Sequence, residues 1–245
     1  MKRFTQNFPF ITLLAGLLIS FFSPGVLWAA DGVAIEGWQQ FERRVRDGQI
    51  SVEDGRREIA HWAEVLNIAY PADGFGRSVF SPLRGYGLQS IGGKNGEGYQ
   101  PAGYEFLGGN RHKGHPAQDI FIHDRNQDGL DDRTGRPAEV LALADGVVLS
   151  CFTEWAPAEA FNHIRGGNYI WIYHPGLDIF SYYAHLQDVF VEPGARVQGG
   201  WRIATLGRTG TKAYSMRSPT HLHLMLLRAS DMVPVDPYLW LKKAS

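Results

Sequence analysis

The chain has 245 residues, with 24 Lys and Arg against 25 Asp and Glu, a formal net charge of −1. That balance lacks the basic surplus phosphate binding normally requires, so no nucleic-acid partner is expected. The 13% aromatic content and 29 glycines point to strands and tight turns over a helical bundle, and a lone cysteine, Cys151, excludes an intramolecular disulfide.

The first 30 residues have the layout of an export leader. Lys2 and Arg3 open it, an apolar run follows from Phe8 to Phe22, and small residues at Ala29 and Ala30 offer a cleavage point. The apolar run falls short of the ~20 residues that span a bilayer, so no stable membrane span is expected after cleavage. Export without disulfides suits a bacterial periplasm or exterior.

Residues 31–75 are expected to be helical. Trp38, Phe41 and Val45 recur at helical spacing, and Asp47-Gly48 makes a stop. Ser51 is placed to cap a second helix with Glu53 and Asp54 in its first turn and a stripe of Ile59, Trp62, Ala63 and Leu66. The pair reads as a hairpin packed on the main domain, the alternative being a gate or a partner-binding element. Residues 76–104 are a glycine-rich linker or strand region.

From about 115 onward, short β-type runs alternate with turns: DIFI, EVLAL, GVVLSCF, NYIWIYH, DIFSYYAHL, RIATLG and HLHLMLL. Without intervening amphipathic helices, these predict a mainly β domain, an antiparallel sheet or barrel-like architecture, over 105–245. In HLHLMLL, alternation puts Leu222, Leu224 and Leu226 on one face and His221 with His223 on the other. GHPAQDIF sets His115 and Asp119 four apart, and SYYAHLQD ends an aromatic strand on His185. Four imidazoles and one carboxylate are the donors a zinc-type cation prefers. A catalytic site uses three such ligands, and two histidines left over would serve hydrolysis as base and as stabiliser of developing charge.

H-x-x-x-D at 115–119, YAHL at 183–186 and HLHL at 221–224 occur in that order, with ADGVV at 144–148, GGN at 166–168 and GARVQGGWRIATLGRTG at 194–210. Over residues 105–240 the chain resembles the LytM/lysostaphin-type M23 metallopeptidases. The resemblance implies His115, Asp119 and His223 as zinc ligands and His185 and His221 as the catalytic histidines. It implies an exported, periplasmic or secreted endopeptidase acting on the peptides of bacterial peptidoglycan. The alternative is a non-catalytic LytM-type regulator of another wall hydrolase, a role taken by members that have lost ligands; all five positions are filled here. Two features depart from the pattern. The glutamate familiar after the HLH segment is absent, since Leu224, Met225 and Leu226 follow, and there is an insertion between Asp119 and ADGVV.

That insertion, IHDRNQDGLDD, sets Asp124, Asn126, Asp128 and Asp132 around Gly129, like the start of a calcium loop, although Gly135 stands where the closing glutamate belongs. The alternatives are a structural calcium and a polar turn. Asn110 is a candidate groove residue, and Tyr104, Phe106, Tyr182, Tyr183 and Tyr214 are candidate aromatics for a peptide cleft.

Overall fold

The computed structural model describes residues 24–158, 163–214 and 218–244; most of the expected leader lies outside them. Two helices come first, α1 (Pro24–Arg46) and α2 (Val52–Ala69). The stop expected at Asp47-Gly48 is where α1 ends. Ser51 caps α2 by accepting a hydrogen bond from the Asp54 amide at 3.1 Å, and Glu53 and Asp54 complement the helix dipole in the first turn. Helix α1 begins earlier than the periodicity predicted and runs through Ala29 and Ala30. None of the helices among the described residues is long and apolar enough to cross a membrane.

The rest is built on one antiparallel sheet. Its strands are β1 (Ala117–Phe121), β2 (Glu139–Leu141), β3 (Gly146–Phe152), β4 (Asn168–His174), β5 (Ile179–Val189), β6 (Arg196–Val197), β7 (Arg202–Leu206), β8 (His221–Arg228) and β9 (Pro234–Val235), followed by a short helix α3 (Pro237–Leu241). The main path runs β1-β8-β5-β4-β3-β6, with β7 pairing β5 and β2, and β9 pairing β8. The runs picked out by alternation thus became an antiparallel, mainly β domain behind a helical hairpin, the expected fold class.

Each face of the sheet buries its own core. On one, Leu222, Leu224 and Leu226 pack with Tyr183, Leu186 and Ile203, all fully buried. On the other, Met225, Leu227, Phe180 and Trp171 meet Trp38, Phe41 and Val45 of α1. Trp38 is 1% exposed and stacks on Phe180 with ring centroids 4.8 Å apart. Side chains of this size contribute roughly 1.5–3 kcal/mol each when buried. The hairpin is therefore part of the core of the sheet face on which the histidines of β8 stand.

The glycine-rich segment also joins the sheet. Val79, Leu83, Tyr86 and Ile91 are buried in the Leu222 face, and isolated bridges tie Leu83 to Val140, Ile91 to Ile120 and Gln100 to His115. The last of these bridges holds the backbone of His115 at the start of β1.

Candidate metal centre and active site

Strand pairing brings the separated motifs together. In the β1–β8 register Asp119 lies opposite His223, and in the β5–β8 register Ala184, one residue before His185, lies opposite His223. His115 follows from the bend before β1. The ring centroids of His115 and His223 are 5.0 Å apart, those of His185 and His221 4.9 Å, and those of His185 and His223 5.8 Å.

One carboxylate oxygen organises the cluster. Asp119 Oδ1 lies 3.2 Å from His115 Nε2, 3.0 Å from His223 Nδ1 and 3.8 Å from His221 Nε2. Among the described residues, His115, Asp119 and His223 form the one group of three His, Cys, Asp or Glu side chains whose ligand atoms all lie within 4.8 Å of one another. Burial alone would raise the Asp119 carboxyl, but hydrogen bonds from His115 and His223 outweigh it and hold the group well below the usual carboxylate range. The bond to Asp119 raises the His115 imidazole against the effect of burial, whereas burial lowers that of His223.

The backbone fixes the rings. The Nδ1 of His115 faces the Gly98 carbonyl at 2.7 Å, that of His185 the Thr209 carbonyl at 2.8 Å, and that of His221 the Pro219 carbonyl at 2.7 Å. A carbonyl only accepts, so each Nδ1 is the protonated nitrogen and each Nε2 presents a lone pair when the ring is neutral. For neutral His115 that lone pair points at a carboxylate oxygen of Asp119. Two acceptors turned on each other at this distance call for a positive charge between them. It is either the proton that makes His115 an imidazolium and gives the hydrogen bond to Asp119, or a divalent cation of the zinc type, whose ligand chemistry this donor set fits.

His185 is held in a strained backbone. Its φ is +66°, in the left-handed region, at a place where the pairing of β5 with β4 and β7 shifts register. Its amide donates to the Gly166 carbonyl at 2.8 Å while its ring reaches Thr209. The GGN turn supports both contacts: Gly167, at φ +65°, leaves room for Thr209 and Gly210, where a Cβ would collide with their backbone. Asn168 then ties its amide to the Thr209 hydroxyl at 2.9 Å. Burial, followed by the neighbouring His221 and His223, pushes the His185 imidazole well below its ordinary value, which keeps it neutral.

A cavity of about 280 Å³ adjoins the cluster. Tyr104, Phe106 and Tyr182 line it. Tyr183 does not, and its place in the groove has to be corrected. One residue along a strand reverses direction, so Tyr183 enters the opposite core, fully buried, with its hydroxyl accepting from the Leu143 amide at 2.8 Å. Tyr214 is exposed beside Trp155. Asn110 lines the cavity, with its amide committed: Nδ2 donates to the Arg46 carbonyl at 3.3 Å and Oδ1 accepts from the Arg165 amide at 3.4 Å. It thereby joins the end of α1 to the loop preceding β4.

The Asp-rich loop is a separate feature. Asp124 accepts from the amides of Asp128 and Gly129 and from the Thr220 hydroxyl, Asp128 from the Leu130 amide, and Asp132 from the Arg125 amide, while Asn126 donates to Asp128. These oxygens, offered above as calcium ligands, accept hydrogen bonds from amides of the loop, from the Asn126 side chain and from Thr220 just before β8.

Sequence reasoning missed the contribution of α1. Glu42 and Arg46 line the cavity together with Tyr169 of β4. The available signal was an acidic residue inside the apolar stripe, since Glu42 sits between Phe41 and Val45 and four residues after Trp38.

Residues 125–237 match the sequence model of Peptidase family M23. That stretch, a little under half of the chain, is similar to the M23 peptidases. The matched stretch contains His185, His221 and His223, whereas His115 and Asp119 lie upstream of it and join the M23 residues through the β1–β8 pairing. Among curated proteins none matches the chain. Among solved structures, the catalytic domain of the antimicrobial peptidase lysostaphin from Staphylococcus simulans is 26% identical, with 60% of this chain and 89% of that one covered and a TM-score of 0.40. A zinc containing peptidase from Vibrio cholerae is 24% identical at a TM-score of 0.41, and the match covers 67% of this chain but only 39% of the Vibrio chain.

Proposed function

We propose that this protein is an exported zinc endopeptidase that hydrolyses peptide bonds of bacterial peptidoglycan, in the stem peptides or their cross-links. In this reading His115, Asp119 and His223 hold the metal, and His185 and His221 are the catalytic histidines. The observation that carries it is the convergence of three ligand-type atoms within 4.8 Å beside two further imidazoles whose Nδ1 atoms are already committed to backbone carbonyls.

Zinc, when bound, supplies a Lewis acid that polarises the scissile carbonyl and readies water for attack near neutral pH. The chain's own residues do the rest. His185, kept neutral by burial, presents Nε2 as an acceptor for the proton lost by the attacking water. The carbonyl of Pro219 aims His221 Nε2 at the same place, 3.8 Å from Asp119. Once protonated, either ring donates from Nε2 to the developing oxyanion or to the departing amine, without giving up its bond to the backbone. The cavity beside the cluster gives the peptide a partly aromatic bed next to the reacting bond.

The test is zinc content together with mass analysis of fragments released from purified wall sacculi. The zinc-loaded protein is expected to release defined peptides, and His221→Ala to keep its zinc and release none. A zinc-loaded protein that cuts no wall peptide, and whose cellular effect survives His221→Ala, would be the non-catalytic LytM-type regulator.

A further inference from the structure

Glu42 is a carboxylate in an unusual place. It stands on the apolar face of α1, 6% exposed, and lines the cavity that also reaches His223. Its Oε1 accepts from the Tyr169 hydroxyl at 2.8 Å, and that oxygen in turn accepts from Arg46 at 3.3 Å. Arg46 eases this charge through space but forms no ion pair with it. The guanidinium is turned to Asp47, with Nε and Nη2 at 2.8 and 2.9 Å from the two carboxylate oxygens. Arg43 is nearby and exposed. Among the described residues no cation comes within ion-pair distance of Glu42. A buried carboxylate held by one neutral hydrogen bond is costly, and burial pushes this one up to about 7.

The walls beside it are aromatic. Tyr169, Tyr182, Trp171 and Phe106 line the same cavity, and their rings are in contact: Tyr169 with Tyr182 at 5.2 Å and Trp171 with Tyr182 at 4.7 Å between centroids. Tyr182 then meets His223 at 6.3 Å. Two rings thus separate Glu42 from the ligand cluster. Arg46, Arg165 and Lys212 line the cavity as well, Arg46 turned to Asp47 and Arg165 to the His112 carbonyl. Ring faces attract a cation and a buried carboxylate pairs with it, so the aromatic end of the cavity around Glu42 is the part whose composition suits an ammonium group.

We infer that the cavity between α1 and β4–β5 is a substrate subsite, in which Glu42 and the surrounding aromatic rings receive a side chain ending in a primary ammonium from the peptide whose neighbouring bond lies at the histidine cluster. The assignment rests on the reading of that cluster as a peptidase site. It makes α1, which lies outside the M23 match, the source of a specificity residue. The alternative is that Glu42–Tyr169 is only a latch fastening α1 to the sheet.

The two differ in what the charge does. Glu42→Gln keeps the size of the side chain and an oxygen to accept from Tyr169, so a latch survives it and an ammonium site does not. The probe is a short peptide carrying one lysine side chain, compared with the same peptide acetylated on Nζ. Both are titrated by equilibrium binding into the zinc-loaded full chain at pH 8, where the carboxylate is ionised, and their cleavage is followed in parallel. The wild type is expected to bind the free amine on the order of tenfold more tightly than the acetylated peptide, and Glu42→Gln to bind the two alike. Equal binding by the wild type, or a preference undiminished in Glu42→Gln, overturns the subsite. If Glu42→Gln does not fold, Glu42→Leu, which fills the buried position without a charge, serves in its place, and there too an undiminished preference is fatal. Cleavage of both peptides without preference removes the subsite and leaves the peptidase reading standing; preference in binding without any cleavage does the reverse.

Discussion

The positive φ of His185 makes a claim about strain that two substitutions isolate. At φ +66° an L-residue pays for the close approach of Cβ to the following carbonyl, about 1–2 kcal/mol. Replacing His185 by Ala or by Gly removes the same imidazole and the same bond to Thr209, so those losses cancel in the comparison. Only Gly relieves the backbone, and it gives back about 0.4–1 kcal/mol because its unfolded chain is more disordered. The His185→Gly protein should therefore be more stable than His185→Ala by roughly 0.5–1 kcal/mol. At an ordinary strand position the order is reversed. Urea unfolding at matched slopes measures the difference as a shift in midpoint. An Ala variant as stable as the Gly variant, or more so, would show that the backbone stores no strain at this residue. Both variants should keep stoichiometric zinc, since the three proposed ligands are untouched, and lose about 10²–10⁴ in hydrolytic rate. An unchanged rate would remove His185 from the mechanism.

His115→Ala and Asp119→Ala should each abolish zinc binding by equilibrium dialysis; retention of one zinc per chain in both variants would mean the ligand set is wrong. Gly109, at φ +50°, has no room for a Cβ, which would run into the Val45 carbonyl at the end of α1. Gly109→Ala should cost roughly 1–3 kcal/mol, read as a lower melting temperature, and an unaltered melt would argue against this docking of the helix. Burial pushes the His174 imidazole down to about 4, with its ring nitrogens facing the Asp145 carbonyl and the Ser181 hydroxyl. The unfolded chain binds that proton first, so stability is full above the unfolded value of about 6.5, falls as pH drops and levels off below about 4, an effect of up to about 3 kcal/mol. Stability measured across that window should fall less steeply with acid in His174→Gln, and an identical slope would contradict the assignment.

The alternation of HLHLMLL was enough to divide β8 into a leucine face and a histidine face, because side chains in a strand reverse at every residue whatever surrounds them. The helix stop at Asp47-Gly48 and the cap at Ser51 were legible for the same reason: each is a local preference of a few neighbouring residues. Chain order and ligand chemistry likewise singled out His115, Asp119, His185, His221 and His223. Local rules could not say which face of β5 the groove occupies, and so Tyr182 and Tyr183 were both assigned to it until the pairing with β8 sent Tyr183 into the opposite core. Nor could they foresee that α1 closes the cavity with Glu42, since that depends on Trp38 stacking on Phe180 from a strand far along the chain. The Asp-rich loop shows the same limit, because the spacing of its oxygens in sequence left open whether they would face an ion or their own backbone amides. Sequence by itself singled out the candidate groups for the chemistry and determined how each short segment is built. Which of those groups share a cavity was decided only by strand register and helix docking, since contacts between distant residues are set by how whole faces bury against one another.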